Sequence, residues 1–165
     1  MRRVLTILYV ITLIFCLLGC DNTTADFIEP VDVFYCVSPI TYDTIDGVFG
    51  CEAREFFGWE GNLHDFLNDY LTGPKNSRLV SPFPLGGRVL DFKQNESTIK
   101  LVLNVHFSRL APNELTLACA CISMTLFELT NAESVDMQID GVGEENLTII
   151  MTRSNLHLSD TTKHK

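Results

Sequence analysis

Apolar residues recur between Pro112 and Leu129 with the period of an α-helix. Leu115, Ala118, Cys119, Ile122, Leu126 and Leu129 stand at i, i+3, i+4, i+7, i+11 and i+14. Leu117, Cys121 and Met124 widen that stripe, so most of this helix is expected to be covered. Pro112 suits the first helical turn, and Glu114 places negative charge near the positive end of the helix dipole. A second helix is expected over Asn62 to Thr72, where Leu63, Phe66, Leu67, Tyr70 and Leu71 form the apolar face. Asn62 suits its cap, Asp65 sits in its first turn, and Gly73-Pro74 stops it.

Strand patterns surround the two helices. Val31 to Val37 is rich in β-branched and aromatic residues and reads as the first strand. Thr41 to Gly58 carries the turn signals Asp46-Gly47 and Gly50, with a short strand over Glu52 to Phe57. Ser81-Pro82-Phe83-Pro84-Leu85-Gly86-Gly87 is incompatible with helix and forms a rigid turn into the next strand. Arg88 to Lys93 and Thr98 to Phe107 form a hairpin. In its second strand Ile99, Leu101, Leu103, Val105 and Phe107 face the core. Ser134 to Asp140 alternates again, with Val135, Met137 and Ile139 inward. Gly141-Val142-Gly143 turns the chain into an edge strand over Leu147 to Thr152. The order strand, helix, hairpin, helix, strand, strand predicts an α+β fold. It is a two-layer sandwich with two helices packed on one face of a mixed sheet of about four to five strands.

The beginning of the chain gives an address. Arg2 and Arg3 precede an apolar run from Val4 to Leu18, which ends in Leu17-Leu18-Gly19-Cys20. A basic start, a short apolar stretch and a small residue before the cut make a secretory signal. A cysteine directly after that small residue resembles the lipobox of bacterial lipoproteins. The resemblance implies acylation of Cys20 and cleavage before it; an uncleaved anchor is the other reading. The run is shorter than the ~20 apolar residues of a spanning helix. Residues 1–19 are thus a lipoprotein signal peptide, 20–30 a polar tether, 31–155 the folded domain and 156–165 a tail expected to fray. The lipid would hold the domain on the extracytoplasmic face of the cell membrane.

Hydrophobic content of 46% supports a folded core. The formal charge is −9, and loss of Arg2 and Arg3 with the signal takes it to about −11. So acidic a domain is a poor partner for nucleic acid.

Four ordered pieces resemble one known family. Leu71-Thr72-Gly73-Pro74 resembles its leucine-then-Gly-Pro helix ending, and Ser81 to Gly87 resembles its serine-proline-x-proline-x-glycine turn. Val102 to Phe107 followed by the Leu115 to Leu129 helix resembles its second half. Val135 to Gly141 resembles its closing strand ending in Asp-Gly. The family is the GerMN domain of sporulation and germination lipoproteins. The sequence departs from it at Gly87, where a small hydroxyl residue is usual, and at Asn104 and His106. The resemblance implies a ring-building-motif type of fold without catalysis or cofactor. It implies a membrane-tethered interaction or assembly module of the bacterial envelope, acting in sporulation or spore germination. Its partners would be envelope proteins or further copies of itself. A peptidoglycan- or glycan-binding module is the alternative reading.

Candidate chemistry beyond this is sparse. Cys36 and Cys51 close a 16-residue loop, so a disulfide and a set of buried free thiols both stay open. Cys119 and Cys121 point about 200° apart on a helix and do not pair with each other. His64, His106, His157 and His164 lack metal-ligand spacing, and His64 and Asp65 do not share a helix face. Asp140 to Glu145 lacks the alternating carboxylates of a calcium loop. Phe56, Phe57 and Trp59 form an aromatic patch before the first helix. It is either a lid over the core or a docking patch for a partner.

Overall fold

The long apolar helix is the centre of the molecule. A computed structural model describes residues 30–37, 48–55, 63–140 and 147–156. Helix α2, Pro112–Leu129, is buried at every position from Ala118 to Phe127. Its apolar residues exceed a single stripe because strands approach from more than one direction. Strand β1 (Pro30–Val37) packs along it, and so do β6 (Ser134–Ile139) and β7 (Leu147–Thr152). Pro112 opens the helix as expected, and Glu114 accepts a hydrogen bond from the Ala111 backbone N–H at 3.0 Å. Ser123 is the buried exception: its Oγ has no hydrogen-bond partner among the described residues.

At the other end of α2, Thr130 Oγ1 donates to the Leu126 carbonyl at 2.8 Å. The Arg153 guanidinium donates to the carbonyls of Phe127, Thr130 and Ala132, and lies 4.8 Å from the centre of the Phe127 ring. A cation so placed satisfies the last carbonyls and complements the negative end of the dipole.

The strands divide between two sheets. The larger has the order β4-β5-β6-β7, with β4 at Val89–Asn95 and β5 at Thr98–Leu103. Strands β5 and β6 are parallel and the other pairs antiparallel, so this sheet is mixed. A parallel pair needs a long crossover, and α2 supplies it. Ile99, Leu101, Leu103, Val135, Met137 and Ile139 are all buried, as their alternation requires. The smaller sheet has the order β2-β1-β3, with β2 at Phe49–Glu55 and β3 at Leu79–Val80. The α+β class and the helix-on-sheet layering are those the sequence predicts. The two-sheet division corrects the expectation of one sheet. It arises because β1 turns its free edge to the helices, not to the second sheet. Where β3 ends, the Phe34 N–H donates to Thr125 Oγ1 at 3.0 Å, and the Phe34 carbonyl accepts from the Tyr70 hydroxyl at 2.6 Å. Side chains of both helices thus replace a neighbouring strand.

Helix α1, Leu63–Tyr70, buries Leu63, Leu67 and Tyr70. Tyr70, Tyr35 and Phe83 form an aromatic cluster with ring centres 4.9 to 5.9 Å apart. Beside it, Arg54 ties β2 to the end of α1. It is 6% exposed, pairs with Glu52 at 3.0 Å and donates to the Gly73 carbonyl at 2.6 Å. Glu52 also accepts from the backbone N–H groups of Lys75 and Asn76. Gly73 stops α1 as expected, with a positive φ of 118° that a side chain would resist.

Strand β5 is shorter than predicted. A 3₁₀-helix at Val105–Arg109 follows it, so Val105 is 40% exposed although the alternation placed it inside. Phe107 reaches the core from that 3₁₀ turn. The cause is Asn104, whose side chain bonds across to the preceding turn.

Candidate functional site

The segment from Ser81 to Arg88 is a rigid presentation loop. The Phe83 N–H donates to Ser81 Oγ at 3.2 Å, and the Gly87 N–H donates to the Pro84 carbonyl at 2.9 Å. Gly86 has φ of 77°, so Pro84 to Gly87 has the form of a type II turn, which needs a positive φ at its third residue. A Cβ on Gly87 would meet the Phe107 ring and the Pro84 carbonyl at 3.0 Å. That close approach leaves little room for a side chain at this position.

Two asparagines clamp the loop. Asn104 donates from Nδ2 to the Gly86 carbonyl at 2.8 Å and accepts from the Arg88 N–H at 3.2 Å. Asn68 of α1 does the same for Val89, accepting from its N–H at 2.9 Å and donating to its carbonyl at 3.3 Å. His64 Nε2 reaches the same carbonyl at 2.9 Å, so that nitrogen carries the proton. The ring's lean toward Val89 also brings Nδ1 within 3.4 Å of Asp65. This corrects the expectation that His64 and Asp65 stay apart. Their contact is exposed and weak.

At the tip of the clamped turn stands Leu85, which is 99% exposed. Between the loop and α1 lies a groove of about 830 Å³, lined among others by His64, Asn68, Phe83, Leu85 and Arg88. Leu90, 49% exposed, follows at its rim, where β4 shifts register. An apolar side chain held on a fixed backbone can enter a partner's pocket with little loss of conformational entropy.

The sequence signal for Leu85 was available, since a leucine between Pro84 and Gly86 in a turn is forced outward. Asn68 and Asn104 gave no signal, because their partners are backbone groups distant in the chain. The predicted sites Cys20, Phe56, Phe57 and Trp59 lie outside the described residues, as do Asn62, His157, His164 and the 141–145 turn. Among the described residues no group of three or more His, Cys, Asp and Glu side chains is placed to hold a metal, and no helix is long and apolar enough to cross a membrane.

Cys36, Cys51, Cys119 and Cys121 are free thiols. Of the two readings left open for Cys36 and Cys51, the register disfavours the disulfide, and Cys51 is exposed rather than buried. Cys36 stands opposite Phe49, and Cys51 opposite Phe34, so the two cysteines are diagonal neighbours. Diagonal positions lie ~7–8 Å apart, at or beyond ordinary disulfide reach.

No family model matches the sequence, and no curated protein matches it. Among solved structures, the tandem GerMN domains of the sporulation protein GerM from Bacillus subtilis superpose with a TM-score of 0.55. The match has 18% identity and covers 76% of this chain. The fold is that of a GerMN domain. The chain spans 43% of the length of that tandem structure. A candidate lipoprotein from Clostridium perfringens matches at a TM-score of 0.43, with 14% identity over 81% of this chain and 95% of that one. The second score is too low to bear on the reading.

Proposed function

We propose that this chain is a non-catalytic docking module of the bacterial cell envelope. It is tethered to the outer face of the membrane through lipid on Cys20 and serves an assembly of sporulation or spore germination. The observation that carries the docking role is Leu85, bare at the tip of a turn that two asparagines hold rigid. The GerMN fold supports the assembly role, and the lipobox resemblance at Leu17 to Cys20 supports the tether. Phe56, Phe57 and Trp59, which precede α1 in the chain, are assigned a role in partner binding as well. The partner is an envelope protein or a second copy of the chain.

Leu85→Asp is expected to leave the unfolding midpoint unchanged, since surface substitutions usually stay within about 0.5 kcal/mol. The same change is expected to cut partner capture from envelope extracts by about tenfold or more, as loss of a central apolar anchor does. Unchanged capture by the Leu85→Asp variant would remove Leu85 from the interface. Retention of peptidoglycan fragments, without any protein, would favour the glycan-binding alternative.

A further inference from the structure

Cys36 and Cys121 meet where β1 runs along α2. The two thiols are near enough for each to shift the other's protonation. Neighbouring contacts explain why they meet. Cys121 and Thr125 are i and i+4 on one face of α2, about 6 Å apart along the axis. Phe34 and Cys36 are alternate residues on one face of β1, about 6.6 Å apart. The Phe34 N–H is bonded to Thr125 Oγ1 at 3.0 Å, so the next contact along both elements brings Cys36 to Cys121. Cys121 is wholly buried, whereas Cys36 is only partly buried.

We propose that Cys36 and Cys121 form a disulfide that staples the central helix to strand β1 once the domain is outside the membrane. The second half of that statement rests on the extracytoplasmic address proposed above. The oxidant is a small or protein disulfide. Cys36 is the attacking thiol: the neighbouring Cys121 thiol holds it below the usual thiol range, against the upward push of burial. Its thiolate attacks one sulfur of the oxidant, that S–S bond breaks, and one oxidant thiol leaves. Cys121 then loses its proton and attacks the Cys36 sulfur of the mixed disulfide, releasing the second thiol. Two protein thiols are oxidised by two electrons, and the oxidant disulfide is reduced to two thiols that carry the two protons. The Cys36 thiol and burial both push Cys121 up, so the second step is the slow one. The other cysteines do not compete. Cys119 is buried, points elsewhere on the helix and is pushed up to about 12 by burial. Cys51 is exposed, but it lies diagonal to Cys36 on the neighbouring strand.

The test has two arms on the full chain. In the first, purified reduced protein is treated with oxidised glutathione, its remaining thiols are alkylated, and its peptides are mapped by mass spectrometry before and after reduction. The expected result is a Cys36–Cys121 linked peptide lighter by two hydrogens. Its formation raises the unfolding temperature, and reduction restores the original value. Cys36→Ser, a near-isosteric change at a half-buried position, abolishes both effects. Free alkylation of Cys36 and Cys121 after oxidation, or glutathione stably attached to Cys36 with no linked peptide, overturns the proposal. In the second arm, thiols are trapped by alkylation in intact cells. A linked peptide there supports the proposal, and reduced thiols overturn it. A linked peptide in the first arm alone would then place the failure in the extracytoplasmic address; failure of both arms would place it in the pairing.

Discussion

Arg54→Met is expected to destabilise the domain by about 3–5 kcal/mol, the cost of breaking a buried ion pair by removing one partner. Arg54 is almost enclosed, and its pairing partner Glu52 has only 9% of its side chain exposed. Removing the guanidinium strands that carboxylate and leaves the Gly73 carbonyl without its 2.6 Å donor. The Asp69 contact at 3.2 Å adds little, because Asp69 is 69% exposed and screened by water. The loss is read from the midpoint of chemical unfolding. The double variant Glu52→Gln with Arg54→Met should lose less than Arg54→Met alone, since the uncompensated charge is then gone. A loss below about 1 kcal/mol in the single variant would show that this hub does not tie β2 to α1.

The same hub is expected to contribute to the acid limb of stability. Burial pushes the Glu52 carboxyl up, but the Lys75 and Asn76 N–H groups and Arg54 outweigh it and hold Glu52 below its ordinary value of 4.5. A depressed carboxylate binds fewer protons in the folded than in the unfolded state. Its stabilisation is therefore full above the ordinary glutamate value and is lost as pH falls through the lower folded value. Unfolding midpoints measured across that window should fall for the natural chain and fall less steeply for Glu52→Gln. Equal slopes would contradict the assignment.

Leu126→Ala is expected to cost a similar amount, about 3–5 kcal/mol, through lost transfer free energy and an unfilled cavity. Leu126 is wholly buried near the end of a continuously buried run. What distinguishes an enclosed helix from an ordinary amphipathic one is the other side. Ala120, 4% exposed, lies on a different face from Leu126. Ala120→Leu should therefore overpack and cost about 1–3 kcal/mol. A cost for Ala120→Leu within about 0.5 kcal/mol would mean that this face has room, contrary to the observed packing.

The extent to which the sequence disclosed this structure depended on the range of each interaction. The helix at Pro112, its proline start, the alternation of Ile99 to Leu103 and Val135 to Ile139, and the Gly73-Pro74 stop are local signals and were legible. Pairing was not. Nothing in Thr98 to Leu103 or Ser134 to Ile139 marks them as parallel neighbours, although a helix between two strands permits it. The early end of β5 was hidden, because Asn104 bonds Gly86 and Arg88 across the chain while Val105 and Phe107 continue the apolar alternation. The two-residue strand β3 is too short to leave a pattern. Cysteine spacing left a Cys36–Cys51 disulfide and free thiols both open. The fold brings Cys121 to Cys36 from 85 positions away. Of the docking surface, the Ser81 to Gly87 turn was legible as rigid. The clamps of Asn68 and Asn104 were not, since backbone acceptors carry no side-chain signature.

Docking is tested most directly in living cells, with a photo-crosslinking residue in place of Leu85 and a second one, as control, in place of the exposed Lys93. Mass spectrometry then identifies what each position captures. A docking module predicts a discrete adduct at position 85, with an envelope protein or with the chain itself, and none of that species at position 93. The adduct should disappear when Cys20→Ala releases the protein from the membrane. Capture of peptidoglycan fragments alone, or the same products from both positions, would contradict a protein-docking role for this surface.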